Sequence, residues 1–383
     1  MKKLVLSGKQ IVTGAGSLSC LKELCYKRVM IVTGGSSMIR FGIIDRAKGY
    51  LESAGATVSV YSGIQKNPAI EEVEQGLQAL KTFKPDCVMA IGGGSAIDAA
   101  KAMLLFYEFP FLNFEYVLDY NAKGEIPVNR DTALVCIPST SGTGSEVTRG
   151  TVITDTKKEL KVPIMTDCLR PDIAILDAEL TTTMPKQIVA ETGMDALTHA
   201  IEAYINHNLD DFNEALCGGA IAGIMKWLPV SYEQETLEAR EKVHNYQAMA
   251  GIGFANVGLG MVHGIAHSFG AAFNMAHGLT NAVILPFALE YNSKDKIVAD
   301  KLAHLSYLCG CENIVDEIRK LKSRLGIPNG FKDAGITEKM YQDKYELLLA
   351  HAMLGATNVN PVKMTEEEME KMLATVFYGE KRF

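Results

Sequence analysis

No stretch of this 383-residue chain approaches the roughly 20 consecutive apolar residues that a membrane-spanning helix needs. The opening MKKLVLSGKQIVTG carries two lysines, but only a three-residue apolar run precedes Ser7 and Gly8. That is too short for the apolar core of a secretion signal. Blocks of basic residues are missing too, and a net charge of −7 argues against a nucleic-acid surface. None of the eight cysteines forms a C-x-x-C pair, which argues against structural zinc held by thiolates. Several lie in strand-like runs such as DCVMAIGGG and ALVCIPST, so buried free thiols in a reducing compartment are expected. Repeats and low-complexity segments are absent. These absences leave a cytoplasmic protein with neither membrane nor nucleic acid as partner.

What is present is a globular mixture, 48% hydrophobic and 22% charged. The length exceeds one ordinary core, so two domains are expected. In the first half, β-branched runs alternate with helical patterns. RVMIVT (28–33), TVSVY (57–61), DCVMAI (86–91) and ALVCIP (133–138) read as buried strands. AIEEVEQGLQALKTF (69–83) and SAIDAAKAMLLFY (95–107) read as helices between them. That alternation predicts a doubly wound parallel sheet. TVITD, ELKVPI and DIAILD (151–177) add short strands. After TTTMPKQ (181–187) strand-like runs nearly vanish, which predicts an α/β domain over 1–184 and an all-helical domain over 185–383.

Three glycine-rich loops each follow a predicted strand. In IGGGSAIDAAKA (91–102), glycines allow close backbone approach and Ser95 can cap a helix whose N-terminal amides attract phosphate. Ile97 stands where G-x-G-x-x-G has its third glycine, so a plain strand-to-helix turn remains an alternative. STSGTGSEVT (139–148) is rich in hydroxyl and amide donors suited to a pyrophosphate or ribose, or else it is a surface turn. TGGSSMIR (33–40) is the third. Together, at the carboxyl edge of a parallel sheet, they point to a nucleotide site.

In the second half, ETGMDALTHAIEAY (191–204) places Asp195, His199 and Glu202 on one face of an otherwise apolar helix. Burying charge is costly without a partner, so this face meets either solvent or a cation. GLGMVHGIAHSFGAAFNMAHG holds His263 and His267 at i, i+4, able to converge on one ion. On a straight helix His277 would stand roughly 21 Å from His263, so joint ligation requires the chain to turn back near Gly270. A satisfied core histidine is the alternative for each, and His207 reads as a surface residue.

The series GGGS-x-x-D (92–98), TSGTGSE (140–146), GMDALTHAIEAY and GMVHGIAHSFGAAFNMAHG, with QIVTGAGSLSCL (10–21), resembles the iron-containing alcohol dehydrogenase family. The resemblance runs in order over essentially the whole chain. It implies a dehydroquinate synthase-like fold: an N-terminal dinucleotide-binding domain and a C-terminal helical domain, with a metal in the cleft between them. Its metal ligands would be Asp195, His199, His263 and His277. His267 would not ligate; it would stand beside the nicotinamide and substrate, where it could relay a proton. Glu202 receives no role from the resemblance.

For the cofactor, the resemblance points to Gly93, Gly94 and Ser95 at the pyrophosphate with Asp98 nearby. Thr140, Thr143 and Ser145 would come from the second loop, Lys161 would reach the nicotinamide ribose, and Asn67 and Phe254 resemble further contacts. Lys161 by itself reads as a solvated lysine. Family members that select NAD(H) often carry Asp directly after the first strand. Here Thr33 is followed by Gly34, Gly35, Ser36 and Ser37, which points to NADP(H) with NAD(H) as the alternative. The implied activity is hydride transfer between that cofactor and a short-chain primary alcohol or aldehyde. The metal would be Fe2+, with Zn2+ also suited to the donor set, and the assembly a homodimer or larger homo-oligomer. Polyol dehydrogenases of the glycerol type and dehydroquinate synthase share the architecture, but TSGTGSE with Asp195 and H-G-x-x-H fits the alcohol dehydrogenases better. A metal hydrolase acting on bound nucleotide would call for the glutamate of H-E-x-x-H or a carboxylate-rich two-metal site, and the sequence shows neither.

Overall fold

A computed structural model describes residues 3–157 and 160–383; Met1, Lys2, Lys158 and Glu159, the last at the head of the ELKVPI run, lie outside the described residues. The chain divides into two compact units, one reaching to Thr183 and the other spanning Met184–Phe383.

The first unit is built on β1 (Gln10–Thr13), β2 (Arg28–Gly34), β3 (Thr57–Ile64), β4 (Cys87–Gly92), β5 (Ala133–Pro138), β6 (Gly150–Asp155), β7 (Leu160–Met165) and β8 (Ile173–Leu176). Six of these form a sheet in the order β1-β8-β5-β4-β2-β3, with every pairing parallel. Both faces are covered, so every residue of β4 and β5 is buried and the alternation that marks one-sided strands disappears. Met30, Val32, Val88, Ala90, Leu134 and Cys136 point to the face packed by helices Ile70–Phe83 and Gly94–Glu108. Val29, Ile31, Cys87, Met89, Val135 and Ile137 point to the opposite face, against Leu18, Ile44, Ala47 and Leu51. β6 and β7 stay out of the main sheet and pair antiparallel, from Gly150 against Met165 to Asp155 against Leu160. The predicted strands and the two predicted helices form within one to three residues of the expected bounds. β1 and the helices Ile43–Ser53 and Val117–Lys123 carried no expectation; β1 is four residues long at a sheet edge and has no fully buried residue.

In the second unit the described residues form helices and no strand. At its centre, Lys186–Ile205 is buried almost all round from Val189 onward. That is why its sequence shows no clean polar stripe. Leu237–Val257 and Met261–Phe273 follow each other with a 105° bend, and His277–Asn292 comes next. No single helix among the described residues is long and apolar enough to cross a membrane.

All eight cysteines are free thiols. Burial was expected, and Cys87, Cys136, Cys168 and Cys217 are buried; Cys25 is exposed, and Cys20, Cys309 and Cys311 are half-buried. Cys25 lies beyond the turn Ser17–Glu23 and before β2, outside any strand that could bury it.

Candidate functional site: a donor cluster and a nucleotide edge

Asp195 and His199 stand one turn apart on the central helix of the second unit, and both are buried. His263 comes from the first turn of Met261–Phe273, and His277 opens the next helix. One donor atom from each of the four lies within 4.8 Å of the others. The Asp195 Oδ1 atom is 3.8 Å from His277 Nε2 and 4.0 Å from His263 Nε2. The chain does turn back between His263 and His277, but Gly270 is inside the helix. The reversal falls at Asn274, whose φ of 50° is the left-handed conformation that ends helices and that Asn tolerates better than most residues.

The rings are ordered by stacking. His199 lies between Phe254, at 4.4 Å and 18°, and His263, at 4.5 Å and 27°. His267 stacks on His277 at 5.2 Å and 21°, and it is not one of the four converging donors. His207 is exposed beyond the helix end, 3.7 Å from Asp295.

Burial pushes the Asp195 carboxyl up, partly opposed by His199. Burial also drives His263 well below the usual imidazole range, and His199, His277 and His267 add to this. Burial therefore disfavours the charged form of His263. Asn281 tests what the cluster suits. Its Nδ2 donates to Asp195 Oδ1 at 2.6 Å and lies 3.1 Å from His263 Nε2 and 3.2 Å from His277 Nε2. Three acceptors thus converge on one positively polarised group, which is the arrangement a divalent cation requires. Three imidazoles and a carboxylate without thiolate fit iron(II) or zinc.

Glu202 completes the buried face of the central helix. It is 1% exposed, and its Oε2 lies 2.6 Å from His263 Nδ1 while Oε1 accepts the Val262 N–H at 2.7 Å. Burial pushes this carboxyl up, against the backbone donors of Val262, Gly260 and His263. So Asp195, His199 and Glu202 are buried and meet partners rather than bulk solvent.

In the first unit the three glycine loops follow β2, β4 and β5, which are neighbours in the sheet. β3 flanks β2 on one side, and the chain then crosses to β4 on the other, the kind of switch point where open α/β sheets bind ligands. The loops touch there. A Cβ placed on Gly34 would be 3.6 Å from Ala96 Cβ, and on Gly93 3.4 Å from Thr140 Cγ2. On Gly94 it would lie 2.6 Å from Thr143 Cγ2, so the first and second loops close on each other only because glycine stands at this position. Ser95 lies in the first turn of Gly94–Glu108, while Gly35, Ser36, Ser37 and Arg40 are exposed beyond β2.

Asp98 is half-buried and accepts from Ser145 Oγ at 2.6 Å and from the Val152 amide at 3.0 Å. Burial pushes its carboxyl up, with Lys101 the largest opposing influence. Lys101 is buried and donates to the carbonyls of Thr148 and Gly150 at 2.9 and 2.8 Å. Lys161 is no solvated lysine: it donates to Asn67 Oδ1, and burial brings it down to about 8 with Asp98 opposing.

Sequence reasoning missed Lys101, Asn281 and any role for Glu202. Lys101 had a signal, the one basic residue inside AIDAAKAMLLF. Asn281 had none, because an amide one turn after His277 marks no chemistry until its neighbours are placed.

Two family models divide the chain between them: "iron-containing alcohol dehydrogenase" matches residues 8–178, and "Fe-containing alcohol dehydrogenase family, C-terminal" matches residues 189–377. The sequence is 41% identical over 380 residues, 97% of either chain, to an NADPH-dependent butanol dehydrogenase of Clostridium saccharobutylicum. It is 35% identical over 378 residues to an alcohol dehydrogenase of Thermococcus barophilus, covering 96% of this chain and 98% of that one. The iron-containing alcohol dehydrogenase of Thermococcus thioreducens matches in structure with a TM-score of 0.92 at 35% identity, over 99% of this chain and 100% of the other. A 1,3-propanediol oxidoreductase matches at 0.90 and 30% identity, over 98% and 100%.

Proposed function

We propose, for a chain that belongs to the iron-containing alcohol dehydrogenase family, that it moves a hydride between NADP(H) and short-chain primary alcohols or aldehydes. The observation that carries the metal-dependent part is the convergence of Asp195, His199, His263 and His277 within 4.8 Å. A divalent cation held there supplies Lewis acidity towards the alcohol or carbonyl oxygen, and the nicotinamide supplies the hydride acceptor or donor.

The chain's own residues do the rest. Asp195 sets one negative charge against the cation, and burial holds the His263 imidazole well below its usual range. Phe254 covers the His199 ring and excludes water from that side. His267, stacked on His277, takes and returns the proton on an imidazole nitrogen. Gly93, Gly94 and Ser95 bind the pyrophosphate with backbone and hydroxyl donors, and Thr140, Thr143 and Ser145 line the facing loop. Lys161, held by Asn67, donates to the nicotinamide ribose. Iron(II) is the metal favoured by the family, and the preference for NADPH accords with the butanol dehydrogenase relative. Free thiols throughout accord with a cytoplasmic setting, and a homo-oligomeric assembly belongs to the same reading.

The test is oxidation of NADPH with butanal by protein stripped of metal and then resupplied with Fe2+ or Zn2+. Turnover should vanish on stripping and return with one equivalent of Fe2+. Equal turnover in stripped protein would overturn the metal-dependent reading.

A further inference from the structure

Among the second unit's helices, Met261–Phe273 starts without a side-chain cap of its own, because Gly260 precedes it. The first N–H groups of a helix have no partner inside the helix and need one from elsewhere. Here two distant side chains provide it. Asn360 Oδ1 accepts from the Met261 N–H at 3.1 Å, and Glu202 Oε1 accepts from the Val262 N–H at 2.7 Å. A Cβ at Gly260 would fall 2.8 Å from both acceptors, so a side chain there would expel them. Glu202 thereby fixes the turn of backbone that carries His263. Its second oxygen, 2.6 Å from His263 Nδ1, meets the ring as well.

Only one hydrogen lies between Oε2 and Nδ1, and the far side of the ring decides where it sits. Asn281 Nδ2 can only donate, and it faces Asp195 Oδ1 and His263 Nε2 together. Nε2 must then offer a lone pair, which places the hydrogen on Nδ1 and leaves Glu202 as the acceptor. We infer that Glu202, which gives no donor atom to the four-residue group, is the positioning residue that sets the tautomer and direction of His263. This rests on the reading of Asp195, His199, His263 and His277 as a metal site. Carboxylates that hold the rear nitrogen of a ligating histidine raise metal affinity about 10- to 100-fold.

The isosteric Glu202→Gln separates this role from simple packing. Its amide oxygen can still accept from Val262, but its NH2 now faces Nδ1. The hydrogen must move to Nε2 and point into the donor group. Full-length protein, stripped by a chelator and titrated with Co2+, should bind one equivalent, and Glu202→Gln should bind it about 10- to 100-fold more weakly with an unchanged circular dichroism spectrum. In stripped unmodified protein, 15N NMR of labelled histidine should show His263 Nδ1 protonated and Nε2 unprotonated, and Glu202→Gln should reverse them.

Co2+ affinity within about twofold of the unmodified protein, with the tautomer unmoved, overturns the inference while leaving the metal site standing. Should Glu202→Gln fail to fold, an unprotonated Nδ1 in the unmodified protein overturns it alone. Failure of the metal reading looks different: the unmodified protein takes up no Co2+, and His263→Ala changes nothing.

Discussion

Ser145 Oγ donates a 2.6 Å hydrogen bond to Asp98 Oδ1, tying the loop after β5 to the helix after β4. Asp98 also accepts from the Val152 amide and lies near the buried Lys101. Asp98→Ala would therefore leave two donors without their acceptor and remove the carboxylate that offsets the buried Lys101 ammonium, which keeps its bonds to Thr148 and Gly150. Removing one partner of a buried charge pair costs about 3–5 kcal/mol, whereas losing one hydrogen bond to a charged group costs about 1.5–3. Urea unfolding should rank Asp98→Ala well below Ser145→Ala in stability, with both raising the KM for the cofactor. Equal stability of the two variants would show that the carboxylate is not the tie.

His263→Ala should empty the metal site, since one of the three imidazoles that face Asp195 and the stack on His199 are lost with it. Metal per chain, measured by plasma emission, should fall from near one to near zero, and turnover should follow it. The circular dichroism spectrum should persist, because the ring is replaced within an otherwise intact helix. Stoichiometric metal in this variant would remove His263 from the ligand set.

His267→Ala should behave in the opposite way. Its ring stacks on His277 without joining the converging donors, so metal content should stay near one per chain. General acid–base catalysis is typically worth about 10²–10⁴-fold, and kcat should drop within that range. The acid limb of the kcat profile should flatten. A variant as empty of metal as His263→Ala would make His267 a ligand.

Much of this was legible in the residues, for identifiable reasons. β4 and β5 announced themselves as continuous apolar runs because both faces of the sheet are covered. Asp195 and His199 are one turn apart, so helical spacing alone put them on one face. What spacing could not place was anything that depends on a turn. His267 is sequence-adjacent to His263 yet outside the cluster, while His277 enters only because Asn274 reverses the chain, not Gly270. The roles of Glu202 and Asn281 exist only in contacts 61 and 86 residues apart in sequence. Lys161 looks like any other lysine until the hairpin of β6 and β7 sets it against Asn67.

His244 gives the chain a built-in sensitivity to acid. It is fully buried, and burial lowers it from 6.5 to about 4. In the unfolded chain the imidazole takes up a proton near pH 6.5, while in the folded chain it stays neutral down to about pH 4. Its contribution is therefore intact above pH 6.5 and is lost as pH falls towards 4, to the extent of about 3 kcal/mol. Unfolding free energies of the unmodified protein and His244→Gln, compared at pH 7 and pH 4.5, should differ in slope by roughly that amount. Parallel pH dependence in the two would refute it.

The cofactor preference turns on what stands at the end of β2. An acidic side chain there accepts hydrogen bonds from the adenosine ribose and repels a 2′-phosphate. This chain offers none: Gly34, Gly35, Ser36 and Ser37 follow Thr33, with exposed Arg40 lying over the Phe41 ring at 5.0 Å. Two hydroxyls, backbone amides and a nearby cation suit a phosphate, and each charge-assisted hydrogen bond contributes about 1.5–3 kcal/mol, roughly ten- to a hundred-fold in affinity. NADPH should therefore exceed NADH in kcat/KM on butanal. Where to place a reversing carboxylate is a steric question. At Gly34 the new Cβ would lie 3.1 Å from the Ile64 carbonyl oxygen, so Gly34→Asp would disturb the pairing of β2 with β3 as well as the charge. At Gly35 nothing lies within 4 Å, and its φ of 48° is a left-handed conformation that Asp adopts more readily than most residues. Gly35→Asp should shift the NADPH-to-NADH ratio of kcat/KM towards NADH by about tenfold or more, with some thermal stability lost to the left-handed backbone. A ratio that favours NADH in the unmodified protein would sink the preference, and an unmoved ratio in Gly35→Asp would place 2′-phosphate recognition away from this turn.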